Sequence, residues 1–335
     1  MTMGGEARFT PGKRDAITDV HGIRVGHWSD RRTGTGCTVI LCEESTFAAV
    51  DARGGGPGSR ETNVLDPANV VRRCHAILFA GGSAFGLGAA DGVMRWLAER
   101  DVGFETSVAK VPIVPAAILF DLGLGRAAFP GPGEGYRAAG RASSGTVAQG
   151  SVGAGTGATI AKLLGPERAL KGGVGSASLA GPRGIVVGAL AVVNCVGSVV
   201  DPATARVIAG PRGDAPGEFV DLETAALQRT AESDTVREST TLLCVATNAG
   251  LAHHQVLRLA YHAHDGLARA VVPAHTFGDG DVAFAVAMGA IPIEPQDTMT
   301  LGLMAQLAVE RAVVRGVLHA TGLHGVPAAA EWRGD

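Results

Sequence analysis

Between residues 17 and 50 the chain passes through short apolar runs, Ile23-Arg-Val-Gly-His-Trp28, Cys37-Thr-Val-Ile-Leu-Cys-Glu43 and Thr46-Phe-Ala-Ala-Val50, separated by glycine and polar residues. Runs of that length between turn formers predict strands joined by tight connections, and Gly54-Gly-Gly-Pro-Gly58 predicts a further turn. Ala76-Ile-Leu-Phe-Ala80 has the uninterrupted apolar character of a buried strand. The Gly81-Gly82-Ser83 that follows opens an alanine-rich helix to about Arg100, with Ser83 as its N-cap. From 145 to 178 glycine and other small residues recur and permit close backbone approach. The β-branched run from Gly184 to Cys195 then favours a buried strand over a helix.

Residues 201–239 change in character and predict an exposed connection, most polar over 231–239. The pattern then switches abruptly. Thr240 to Asn248 reads as a buried strand, Ala252 to Arg269 as an amphipathic helix, and Asp281 to Gly289 as another strand. No repeat of 20–50 residues is visible, so a solenoid is not expected.

Composition narrows the class. Of 335 residues 46% are hydrophobic and 18% charged, with 49 glycines beside 16 prolines, which excludes disordered and collagen-like chains. The length suits either two domains or one large α/β domain. A net charge of −3 without a long basic run lacks the footprint of a nucleic-acid binder and fits a small-molecule partner. Cys37, Cys42, Cys74, Cys195 and Cys244 form no CxxC or zinc-type cluster, so reduced, mostly buried thiols are expected and no metal. The first residues hold no apolar signal core, and the apolar stretch 184–200 is interrupted by Asn194 and Ser198, so we expect no membrane span and a cytoplasmic protein.

Three patterns could carry chemistry. Gly153-Ala-Gly155-Thr-Gly-Ala158 fits the permissive dinucleotide fingerprint, but residues 168–200 contain no Asp or Glu for the ribose, and no lysine follows directly as in a phosphate-binding loop. His253, His254, His262 and His264 share one predicted helix, yet without HExxH spacing they read as residues of a solvated face. No G-x-S-x-G elbow exists for a serine hydrolase. The third pattern is the junction where a polar stretch ends at Ser239 and Thr240 and Thr241 open a buried strand. Attack of a threonine hydroxyl on the preceding carbonyl there would give an ester. Its hydrolysis would leave Thr240 with a free α-amine able to act as base for its own hydroxyl. Taken alone, the two threonines also suit the start of an ordinary strand.

Several stretches taken together carry a resemblance: VDARGGGPGSRET (50–62), FAGGSAFGLGAADGVMRWL (79–97), VPIVPAAILFDL (111–122), GSVGAGTGATIAK (150–162), VVNCVGSVVD (192–201), TTLLCVATNA (240–249) and HDGLARAVVPAHTFGDGDVAFA (264–285). In that order they resemble the family of L-aminopeptidase/D-esterases and β-peptidyl aminopeptidases, which includes the nylon-oligomer hydrolases. The resemblance implies an αββα sandwich like that of N-terminal-nucleophile hydrolases and ornithine acetyltransferase. It also implies one autoprocessed domain, residues 1–335, cut before Thr240 into chains 1–239 and 240–335.

By the same resemblance Thr240 is similar to the nucleophile, Asn194 to the oxyanion-hole side chain, Lys162 to the lysine of the catalytic centre, and Asp279 and Asp281 to the acidic pair. An Asn amide suits an oxyanion, and a lysine beside carboxylates can tune protonation. Two positions depart from the family pattern: Ser239 precedes the scissile bond where Asn or Gly is usual, and Phe120 stands where the family has Tyr. The activity implied is hydrolysis of a free-amine peptide, amide or ester through an acyl-enzyme, without metal or organic cofactor, by a homo-oligomer, a tetramer, of cleaved protomers. Acyl transfer like that of the ornithine enzyme and a non-catalytic relative of the fold remain alternatives. Residue by residue, Lys162 alone suits a surface cation, Asn194 a satisfied buried amide, and Asp279-Gly-Asp281 a turn.

Overall fold

Side-chain alternation along the strand Thr240–Ala249 sorts the whole molecule into layers. Leu242, Cys244 and Ala246 enter an inner core between two sheets, whereas Leu243 and Val245 face a core shared with helices. Successive strand residues point to opposite faces, so a strand apolar on both sides has to be covered on both. In the computed structural model, which describes residues 9–228 and 239–334, that covering is complete.

The first sheet has the order Thr10–Pro11, Gly173–Ala180, Val186–Asn194, Thr240–Ala249, Val282–Ile291 and Phe47–Ala52. Its pairings are antiparallel except that of Thr240–Ala249 with Val282–Ile291, which is parallel and is bridged by the helix His253–Ala270. A parallel pair needs such a crossover. The second sheet runs Arg24–Asp30, Thr35–Leu41, Ala76–Ala80, Ala116–Ile118, Ser59–Arg60.

Helices His253–Ala270 and Asp297–Leu318 cover the outer face of the first sheet. Helices Ala89–Ala98 and Pro132–Gly140 cover the outer face of the second. Ile40, Ile77 and Phe79 of one sheet meet Val192, Leu242 and Phe284 of the other in the middle. The architecture is therefore the expected αββα sandwich. Its helix-to-sheet approach is set by small residues: a Cβ on Gly175 would lie 1.9 Å from the Ala312 carbonyl oxygen.

Several expectations are corrected. Ser83 is not an N-cap, because it has φ +54° inside a 3-10 turn, Ser83–Gly88, and the α-helix begins only at Ala89. The connection 201–239 carries a strand, Val207–Ala209, and a short helix, Leu222–Leu227. Its most polar part, 231–238, lies outside the described residues, while Ser239 is buried, not exposed. Two of the four helix histidines are also buried, since His253 Nε2 bonds the Ala48 carbonyl and His264 Nε2 the Asp51 carbonyl. All five cysteines are buried and free. Among the described residues no helix is long and apolar enough to cross a membrane.

Candidate active site

Asn194 ends its strand directly opposite the first residue of the neighbouring strand, Thr240. Partners directly opposite in an antiparallel pair project to the same face. By the alternation that sends Val192 and Leu242 inward, both point between the sheets. Asn194 is fully buried and Thr240 nearly so.

Two donors fix the Asn194 amide. The Thr159 N–H donates to Oδ1 at 2.9 Å and Lys162 Nζ to the same oxygen at 3.2 Å, with a further bond from Nζ to the Asn194 carbonyl at 3.2 Å. An oxygen holding two donors sets the orientation of the amide. The Nδ2 group is then the free end, buried and without a hydrogen bond among the described residues. Such a group costs stability, and a preorganised N–H donor on the residue opposite Thr240 is what an oxyanion requires.

On its other side Thr240 meets the Asp279-Gly280-Asp281 segment. The Thr240 hydroxyl donates to the Ser239 carbonyl at 2.7 Å, and the Gly280 N–H donates to that same carbonyl at 2.8 Å. Asp281 Oδ1 accepts the Thr241 N–H at 2.7 Å, and its Oδ2 accepts the N–H and Nδ1–H of His275 at 3.1 and 2.9 Å. Asp279 Oδ2 accepts the N–H and hydroxyl of Thr276 at 3.0 and 2.7 Å. Its Oδ1 is buried, with the Val196 N–H nearby but outside hydrogen-bond geometry. Burial, reinforced by the Asp281 charge, raises Asp279 above the usual carboxylate range.

Gly54-Gly55-Gly56 packs over this turn through N–H bonds to the Asp281, Thr276 and Asp279 carbonyls. A Cβ on Gly54 would fall 2.3 Å from the Asp281 nitrogen and 2.4 Å from the Asp279 oxygen. Gly54→Ala is therefore expected to lose about 1–3 kcal/mol in urea titration, the usual cost of overpacking, and to disturb the acidic turn with it.

Phe120 is half-buried and, with Asp121, Thr159 and Lys162, lines a small cavity of about 110 Å³. Burial pushes Asp121 up to about 6; its Oδ1 accepts the Gly82 N–H and its Oδ2 the Thr35 hydroxyl. Of the residues singled out in the sequence, Thr240, Ser239, Asn194, Lys162, Asp279 and Asp281 thus meet in one bonded cluster, and Phe120 shares a cavity wall with Lys162.

The sequence reading missed His275, Thr276, Gly54 and the Gly280 N–H. His275 and Thr276 lie just upstream of the acidic pair in His275-Thr-Phe-Gly-Asp279, a spacing that lets a turn fold its own donors back on its carboxylates. In the Gly153–Ala158 fingerprint Gly153–Gly155 is a buried 3-10 turn, a Cβ on Gly155 would lie 2.4 Å from the Val174 nitrogen, and Gly157 lines the small cavity beside Lys162. Among the described residues no group of three or more His, Cys, Asp or Glu is placed to hold a metal ion.

Comparison with known proteins bears on the family and the fold. The sequence profile of peptidase family S58 matches residues 15–330. An uncharacterized aminopeptidase of Mycobacterium tuberculosis is 43% identical over 342 residues, covering 93% of this chain and 96% of the relative. A 6-aminohexanoate-oligomer endohydrolase of Kocuria sp. is 29% identical over 283 residues, 82% of this chain and 75% of that one. Among solved structures a β-aminopeptidase of Burkholderia sp. superimposes with a TM-score of 0.72 at 24% identity, over 98% of this chain and 94% of that one. The L-aminopeptidase D-Ala-esterase/amidase of Ochrobactrum anthropi, described as a variant of the Ntn hydrolase fold, gives 0.73 at 21%, over 95% and 90%. At these identities the two structures speak for the fold, an Ntn-type sandwich.

Proposed function

The chain belongs to peptidase family S58 and is a hydrolase of the peptidase type; from that premise we propose that it cleaves itself between Ser239 and Thr240 and then works as an N-terminal-threonine amidohydrolase. The observation that carries this reading is the Ser239 carbonyl. It accepts the Thr240 hydroxyl at 2.7 Å and the Gly280 N–H at 2.8 Å, so the nucleophile and a polarising donor converge on the bond to be cut.

In self-cleavage the Thr240 oxygen adds to the Ser239 carbonyl carbon while its proton passes to a nearby base, for which Asp279 is suited by position and by its raised proton affinity. Collapse breaks the C–N bond, the Thr240 nitrogen takes the proton, and the ester left on Oγ is hydrolysed by water to the Ser239 carboxylate and a free Thr240 amine. The products are chains of 239 and 96 residues.

In turnover that amine takes the Oγ proton as Thr240 attacks the substrate carbonyl. Asn194 Nδ2 donates to the oxyanion, the leaving amine departs protonated, and water deacylates the enzyme. Lys162 holds the Asn194 amide through Oδ1. The substrate is a peptide, amide or ester with a free amine, in keeping with the names of the relatives, and the working form is an oligomer, a tetramer, of cleaved protomers in the cytoplasm.

The test is intact mass followed by turnover of amino-terminal anilides, β-amino-acid amides and aminohexanoate oligomers, with N-acetylornithine and glutamate as the transfer control. An uncut chain, or turnover confined to the control, would reverse the reading. Phe120 supplies a further check. Tyr adds only a hydroxyl beside Lys162 and Thr159, and one hydrogen bond to the reacting centre is worth about 1 kcal/mol. Phe120→Tyr is expected to fold and self-cleave normally and to raise kcat about fivefold; equal or lower kcat in steady-state kinetics would show that position 120 carries no such role.

A further inference from the structure

The Gly153–Ala158 motif, which nucleotide chemistry leaves unexplained, meets beneath the active centre a lysine that no step above uses. Lys171 is completely buried, and its Nζ donates to the Thr156 carbonyl at 2.9 Å and the Ala158 carbonyl at 2.5 Å. Those carbonyls flank Gly157, where a Cβ would lie 2.5 Å from both the Cβ and Oδ2 of Asp121. The loop is thus gripped from one side and abutted from the other. The next residue, Thr159, pairs with Lys171 across a two-stranded ladder and gives its N–H to Asn194 Oδ1 at 2.9 Å.

A buried ammonium is expensive to keep, and replacing a buried charged group by an apolar one of similar volume is often neutral or stabilising. Burial lowers Lys171 to about 7 while the Asp121 carboxylate pulls the other way. A lysine retained under those conditions has work other than filling space. We infer that Lys171 is a positioning residue of the hydrolytic centre: by holding the Thr156 and Ala158 carbonyls it sets the Thr159 N–H, which keeps the Asn194 amide turned with Nδ2 towards Thr240. The inference rests on the reading of Asn194 as oxyanion donor. Its leverage comes from geometry, since a half-turn of that amide would present an acceptor to the oxyanion, and a misplacement of about 1 Å can cost about 10²-fold in rate.

The experiment is a double-mutant cycle on purified, self-cleaved enzyme with an anilide that the wild type hydrolyses. Lys171→Met and Lys171→Gln are each made alone and with Asn194→Ala, and folding is followed by circular dichroism. Lys171→Met is expected to fold, to lose 10- to 100-fold in kcat, and to leave KM within twofold. Lys171→Gln, whose shorter amide reaches one carbonyl, should show an intermediate loss of about threefold or more. In the Asn194→Ala background neither should lower kcat further.

Equal fold-losses in both backgrounds would make Lys171 a structural residue and overturn the inference, as would wild-type kcat in Lys171→Met. Should Lys171→Met not fold, the Lys171→Gln cycle decides alone, and wild-type kcat there counts against the proposal. If Asn194→Ala slows self-cleavage, the cleavage rate constant replaces kcat in the same cycle. Wild-type kcat in Asn194→Ala by itself would instead strike down the oxyanion reading, and this inference with it.

Discussion

Thr240→Ala is expected to remain a single 335-residue chain and to lose hydrolytic turnover altogether, the largest effect of any single change in this protein. The methyl side chain leaves no oxygen to add to the Ser239 carbonyl, so neither the ester nor the new amine can form. Both parts of the catalytic device vanish with one atom, because the attacking hydroxyl and the α-amine belong to the same residue. Removing the nucleophile of a concerted catalytic unit costs on the order of 10⁶ in kcat. The fold should survive: Thr240 stands at the start of its strand, and what it loses is a side-chain hydrogen bond to its own neighbour's carbonyl. Thr240→Ser, which keeps the oxygen, should cleave and turn over. Intact mass and an anilide assay read both variants. Efficient cleavage of Thr240→Ala, or a cut mapped to another bond, would remove Thr240 from the mechanism.

The strands were legible wherever a run of apolar residues is buried on both faces. Thr240 to Asn248 and Gly184 to Cys195 each fall within two residues of the observed ends, since nothing but a covered strand suits so continuous a β-branched pattern. Their pairing was not legible. The register that sets Asn194 against Thr240 arises from two strands distant in sequence, and only the family resemblance brought the two residues together beforehand.

Local rules also failed where a distant group changes the environment. Lys171 carries no mark in the sequence of being buried, because its acceptors are carbonyls of a loop that folds back on it. His253 and His264 suit a solvated helix face until the Phe47–Ala52 strand supplies carbonyls to bond them. Ser83 satisfies the composition of an N-cap, but its positive φ places it in a tighter turn. The Asp279-Gly-Asp281 turn shows the same division: the spacing was visible, whereas the unequal surroundings of the two carboxylates are a product of the fold.

That inequality separates two substitutions of identical chemistry. Asp281 receives backbone N–H groups on both oxygens, from Thr241 on Oδ1 and from His275 on Oδ2. Whichever way the amide of Asp281→Asn turns, its NH₂ confronts one of these buried donors, at about 1–3 kcal/mol for each donor left unpaired. Asp281→Asn is therefore expected to lower the thermal midpoint and the turnover together. Asp279 has both donors of Thr276 on Oδ2, so in Asp279→Asn the carbonyl oxygen keeps Thr276 and the NH₂ faces only the Val196 N–H, which stands outside hydrogen-bond geometry and makes a weaker conflict than the donors on Asp281.

Folding of Asp279→Asn should survive while the rate constant of self-cleavage falls by about 10²–10⁴, the usual range for losing a positioned proton-transfer group. The pH dependence follows from the same group. Because the folded-state pKa of Asp279 lies above 3.8, the native protein binds this proton more tightly than the unfolded chain, so its contribution is present in acid and is lost as pH rises through the folded pKa. Asp279→Asn has no such loss and should be at least as stable as the wild type at neutral pH. The wild-type rate of self-cleavage should fall on the acid side at a pH above the ordinary carboxylate range, and that limb should be missing from the residual cleavage of Asp279→Asn. Parallel urea titrations and pH–rate profiles of the two variants check both halves. Equal losses of stability in Asp279→Asn and Asp281→Asn would show that the pair acts as one structural clasp and that neither carboxylate transfers a proton.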